Sequence, residues 1–65
     1  MKILLNGEVT QTRAKTLGEL CTALGHGLDK IATARNGDFV PATQRGKTII
    51  AEDDKIEIVA PRQGG

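Results

Sequence analysis

Apolar residues fall in short runs along this chain, and most runs are closed by asparagine, glycine or proline. Ile3-Leu4-Leu5 is the first, and Asn6-Gly7 separates it from a weaker alternating stretch whose only large apolar residue is Val9. Both central residues of a type I′ turn need positive φ, which asparagine and glycine tolerate, so the spacing predicts a tight hairpin. Its strands are expected at about 2–6 and 8–13, the second an edge strand with one solvated face.

The period then changes. Thr16-Leu17-Gly18-Glu19 reads as a capping box: the Thr16 hydroxyl accepts from the Glu19 N–H, and the Glu19 side chain reaches back to the Thr16 N–H. Leu17, Leu20, Cys21 and Leu24 follow at i, i+3, i+4 and i+7, one apolar stripe of a helix. Each large member contributes roughly 1.5–3 kcal/mol when buried. Gly25 and Gly27, either side of His26, suit a helix stop, which places the helix over 17–24. Gly18 either weakens the first turn or admits a close neighbour.

Residues 30–36 read as a third strand, with Ala32 and Ala34 expected inward beneath the helix. Asn36-Gly37 predicts a second tight turn into Asp38-Phe39-Val40, which Pro41 ends because it has no N–H to donate. Residues 42–46 read as a polar loop holding at most one helical turn, and Thr48-Ile49-Ile50 is a short apolar run. Glu52-Asp53-Asp54 reads as a solvated turn. Residues 55–60 form the clearest strand, with Ile56 and Ile58 inward and Lys55, Glu57 and Val59 outward. Hairpin, helix, hairpin and final strand make an α+β chain. The arrangement is a β-grasp, or ubiquitin-like, roll: one helix across a mixed sheet of four or five strands, the first and last parallel at its centre. Residues 1–61 form the domain and 62–65 a flexible tail.

Composition narrows the function. At 65 residues this is one small domain, too small for a catalytic cleft walled on all sides. Phe39 is its one aromatic residue, so the core must be aliphatic. Net charge is +1 with both signs dispersed, which speaks against a nucleic-acid partner. No apolar run reaches membrane-spanning length, and Met1-Lys2-Ile3-Leu4-Leu5 does not read as a signal peptide. Cys21 is alone, so no internal disulfide forms and a reducing, cytoplasmic setting is expected.

Candidate chemistry is sparse. No Ser/His/Asp or Cys/His set exists, so the chain is not expected to be an enzyme. His26 has no ligand partner at metal-binding spacing, and no bound cofactor is expected. Cys21 could carry a persulfide, but its place on the helix stripe makes it a core residue. Phe39 and Val59 are candidate docking contacts for a partner protein, with the core as the other place for Phe39. Arg62 either pairs with an acidic groove or is solvated. That leaves Pro61-Arg62-Gln63-Gly64-Gly65. Gly64 and Gly65 lack Cβ atoms, so this backbone can thread a narrow site, with Gly65 offering its carboxylate. Fully extended, 62–65 reaches roughly 13–14 Å beyond Pro61.

The chain resembles the ThiS family, the sulfur-carrier proteins of thiamine thiazole biosynthesis. The resemblance rests on Ile3-Leu4-Leu5-Asn6-Gly7, on Ala34-Arg35-Asn36-Gly37 with Val40-Pro41, and on Asp54-Lys55-Ile56-Glu57-Ile58-Val59 running into Gly64-Gly65. It spans the whole chain. Two departures are Ala42, where the family often has Arg, and Asp53, where Gly is usual. The resemblance implies that a partner adenylating (E1-like) enzyme, using ATP and magnesium, converts the Gly65 carboxylate to an acyl-adenylate. Sulfur relayed from a cysteine desulfurase replaces AMP, and the Gly65 thiocarboxylate then donates it to thiazole synthase. The carrier itself is expected to be a monomer when free. The alternatives are a carrier for molybdopterin synthesis or tRNA thiolation, and a β-grasp interaction module or protein modifier without sulfur chemistry.

Overall fold

The computed structural model describes residues 1–26 and 30–60. Five strands, β1 (Lys2–Leu5), β2 (Glu8–Gln11), β3 (Ala32–Arg35), β4 (Asp38–Val40) and β5 (Lys55–Val59), form one sheet in the order β2-β1-β5-β3-β4. Both Asn-Gly pairs make the turns their chemistry favours. Asn6 and Gly7 sit at φ 50° and 83°, and Asn36 and Gly37 at 51° and 87°. The hairpins β1–β2 and β3–β4 flank β5, which runs parallel to β1 and antiparallel to β3. This is the β-grasp topology, with the last strand at the centre.

Helix α1 (Leu17–Ala23) crosses one face. The Thr16 hydroxyl accepts from the Glu19 N–H at 3.1 Å, but the Glu19 carboxylate accepts from Lys15 N–H at 2.8 Å rather than from Thr16. At the other end His26 N–H donates to Cys21 O, Gly25 N–H donates to Thr22 O, and Gly25 has φ 85°. This Schellman closure makes Leu24 the C-cap. Leu24 is therefore 41% exposed and drops out of the predicted stripe, while Leu17, Leu20 and Cys21 stay buried. Gly27 lies outside the described residues. Between helix and sheet the core is aliphatic, centred on Ile3, Leu17, Leu20 and Ile56.

The facing of β3 reverses the expectation. Thr33 is buried on the core face, and Ala32 and Ala34 lie on the opposite, outer face. Register decides this: Thr33 lies opposite inward-facing Ile58, so its neighbours must face out. Its hydroxyl is buried at little cost because it donates to Val40 O at 2.7 Å and accepts from Arg45 Nε at 3.0 Å.

After β4, Pro41 leads into a 3-10 helix, Ala42–Lys47, which extends the short helical turn that the polar loop allows. Gly18 faces it closely. A Cβ there would lie 3.2 Å from Gly46 Cα, which explains a glycine in the helix's first turn. Thr48-Ile49-Ile50 does not join the sheet. It bridges to the helix entrance, with Leu17 N–H to Thr48 O and Ile50 N–H to Lys15 O, burying Ile50 and exposing Ile49.

Candidate functional site

β5 is the last element before the C-terminal residues. Its residues alternate as expected, Ile56 and Ile58 buried and Lys55, Glu57 and Val59 exposed. Arg62, Gly64 and Gly65 lie outside the described residues, as does Pro61, so the site is seen as a platform that ends at Ala60.

The outer face of that platform is apolar near its end. Val59 pairs with Ala32 and Phe39 with Ala34, and all four side chains share the face away from the helix. Val59 is 58% and Phe39 69% exposed. The two alanines form a low floor between these larger residues. Phe39 is thus not a core residue, because inward-facing Val40 takes that place on β4.

Each Asn-Gly turn also grips β5 through its asparagine side chain. At the strand's start, Asn36 Oδ1 accepts from Lys55 N–H at 2.9 Å, and Asn36 Nδ2 donates to Asp54 Oδ1 at 3.0 Å. Near its end, Asn6 Oδ1 accepts from Ile58 N–H at 2.9 Å, and Asn6 Nδ2 donates to Ile58 O at 3.2 Å. Sequence reading found the turns but not the grips, since the turn preference alone accounts for both asparagines.

Asp54 corrects the solvated reading of its turn. It is buried and accepts from Arg35 Nε at 2.7 Å, Asn36 Nδ2 at 3.0 Å and Ala51 N–H at 2.7 Å. Burial pushes its pKa up, but the hydrogen bonds from Asn36, Arg35 and Ala51, together with the Arg35 charge, outweigh burial and hold the carboxyl below its usual range. Asp53, beside it, has φ 69° and pairs with Lys2 at the surface. That left-handed backbone is one that glycine adopts without steric cost.

Cys21 is buried on the helix stripe, and burial pushes its thiol pKa up, against a smaller lowering by Arg45. A thiol so placed is a poor nucleophile. Among the described residues no cluster of His, Cys, Asp and Glu is placed to hold a metal ion, and no helix is long and apolar enough to cross a membrane.

Comparison with known proteins follows the same outline. The crystal structure of the thiamine biosynthesis protein ThiS from Geobacter metallireducens superposes with a TM-score of 0.82 at 22% identity, covering all of both chains. It establishes the likeness of fold. A protein called thiazole synthase from Paramagnetospirillum magneticum (strain ATCC 700264 / AMB-1) is 36% identical over 66 residues. That match takes in all of this chain but 20% of the relative, so the chain spans about one fifth of its length. The model of the ThiS family matches residues 3–65, from β1 through the Gly64-Gly65 pair. This chain belongs to the ThiS family.

Proposed function

We propose that the protein is a sulfur carrier for thiamine thiazole formation, with the Gly65 carboxylate as its carrying group. The observation that supports this most is the family match, which runs to residue 65 and so takes in Gly64-Gly65. The fold agrees: β5 is held on both sides and leads directly to the tail.

A carboxylate is a weak electrophile because its negative charge is delocalised over both oxygens. The proposed partner, an E1-like adenylating enzyme using ATP and magnesium, converts Gly65 to an acyl-adenylate with release of pyrophosphate. A persulfide relayed from a cysteine desulfurase attacks the acyl carbon and displaces AMP. A thiol then reduces the S–S bond of the resulting acyl disulfide and leaves as a disulfide, and the thiocarboxylate so released passes its sulfur to thiazole synthase. The carrier's share is to dock and to reach. Phe39 and Val59, over their alanine floor, form the docking surface, and Arg62 adds a charge beside the threading glycines. The match of this whole chain to one fifth of a protein called thiazole synthase supports that enzyme as the acceptor. Cys21, buried and with its pKa raised, takes no part in the relay. The proposed setting is the cytoplasm.

The test is ATP–pyrophosphate exchange by the adenylating enzyme, run with the full chain and with Gly65 deleted. Exchange is expected with the full chain only, with both proteins melting at the same temperature. Exchange that survives the deletion contradicts the assignment of Gly65.

A further inference from the structure

The parallel ladder between β1 and β5 is one rung longer than the two backbones make it. Leu4 N–H donates to Asp54 O at 2.9 Å and Asn6 N–H to Ile56 O at 2.8 Å. A parallel ladder would next take Ile58 N–H to the Asn6 carbonyl. At Asn6, however, φ is 50° and the backbone turns away into β2. The Asn6 side chain supplies the rung instead, holding both Ile58 N–H and Ile58 O. On β5 the polar groups of successive residues point to opposite sides, and this amide takes the last pair on the β1 side. Only Val59 and Ala60 separate that grip from Pro61.

We propose that Asn6 is a positioning residue for carrier function: its amide fixes the direction in which the chain leaves β5 towards Gly65. This rests on the carrier reading above. An unconstrained Ile58 would leave two backbone groups to compete for water and the strand end free to fray. A group delivered into another protein's site depends on where its tail begins, and the grip on Ile58 holds the strand end, Val59 and Ala60, from which that tail starts. Asn36 makes the comparable grip at Lys55, the other end of β5, about 13 Å from Val59 along the strand. It therefore separates a role in holding the strand from a role in aiming the tail.

The experiment compares the parent with Asn6→Gly and Asn36→Gly, both of which keep a left-handed turn residue. Melting temperatures set a working temperature at which all three are folded. Amide hydrogen exchange at Ile58 and residual dipolar couplings at Val59 and Ala60 report the strand end, and kcat/KM for adenylation reports delivery. Asn6→Gly is expected to lose Ile58 protection, change the Val59 and Ala60 couplings, and lower kcat/KM by up to roughly a hundredfold, the scale on which misplacement slows a positioned reaction. Asn6→Asp keeps the acceptor for Ile58 N–H and should fall between parent and glycine. Asn36→Gly is expected to leave the couplings and kcat/KM at parental values. Parental kcat/KM in Asn6→Gly, or an equal fall in Asn36→Gly, overturns the positioning role. Should the parent itself not be adenylated, the carrier reading fails, and unchanged couplings in Asn6→Gly would still reject the grip separately.

Discussion

Arg35 Nε donates to Asp54 Oδ2 at 2.7 Å, joining β3 to the residue just before β5. Asp54 has a depressed pKa in the folded chain, so its contribution is fully present above the unfolded value, near 3.8, and is lost as pH falls through the lower folded one. The melting temperature should hold steady from neutral pH to about pH 5 and then fall below about pH 4. Asp54→Asn should flatten that acid limb and cost roughly 1.5–3 kcal/mol at neutral pH, the range for hydrogen bonds to a charged group. Thermal melts of both proteins across pH check this. An unchanged acid limb in the variant would place the titration elsewhere.

Gly18 sets helix propensity against space. Alanine gains up to about 1 kcal/mol in a helix, but its Cβ would press on the Gly46 backbone at 3.2 Å. Overpacking costs about 1–3 kcal/mol, so Gly18→Ala should lower stability by about 1 kcal/mol. A raised melting temperature would mean that the 3-10 helix gives way freely.

Asp53 separates backbone from charge. Its ion pair with Lys2 is exposed and contributes little. Asp53→Gly and Asp53→Ala both lose the carboxylate, but only glycine suits φ 69°. The glycine variant should be more stable than the alanine variant by about 1 kcal/mol. Equal denaturation midpoints would show that the turn relaxes to another conformation.

Phe39 is 69% exposed and makes no part of the core. Phe39→Ala should change stability by less than about 0.5 kcal/mol. The same variant should weaken binding to the adenylating enzyme, with Phe39→Glu weakening it more. Titration calorimetry beside thermal melts distinguishes the two effects. Parental affinity in Phe39→Glu would remove this face from the docking surface.

The legible parts of this fold are those whose signals are local. Ile56 and Ile58 alternate with charged neighbours, and Asn6-Gly7 and Asn36-Gly37 each specify a turn from within two residues. Thr16 caps the helix it precedes. The facing of β3 was illegible because Ala32-Thr33-Ala34 carries little hydrophobic alternation, and its parity comes from pairing with β5. Leu24 fitted the stripe, yet Gly25 closes the helix one residue too early to bury it. Asp54 looked like a solvated turn because its partners Asn36 and Arg35 are 18 and 19 residues away. At the site, Gly64 and Gly65 are marked by residue type and by the family resemblance, Arg62 by its charge, and all three lie outside the described residues. The exposure of Phe39 and Val59 on one face, and the Asn6 grip on Ile58, required the sheet.

Thiocarboxylate formation tests the carrier assignment most directly. The full chain is incubated with the adenylating enzyme, ATP, magnesium, the cysteine-desulfurase sulfur source and a thiol reductant, and its intact mass is measured. The expected product is heavier by the difference between one sulfur and one oxygen, with the added mass confined to the C-terminal fragment containing Gly65. An unchanged mass in the presence of a partner set that thiolates another carrier would contradict the account.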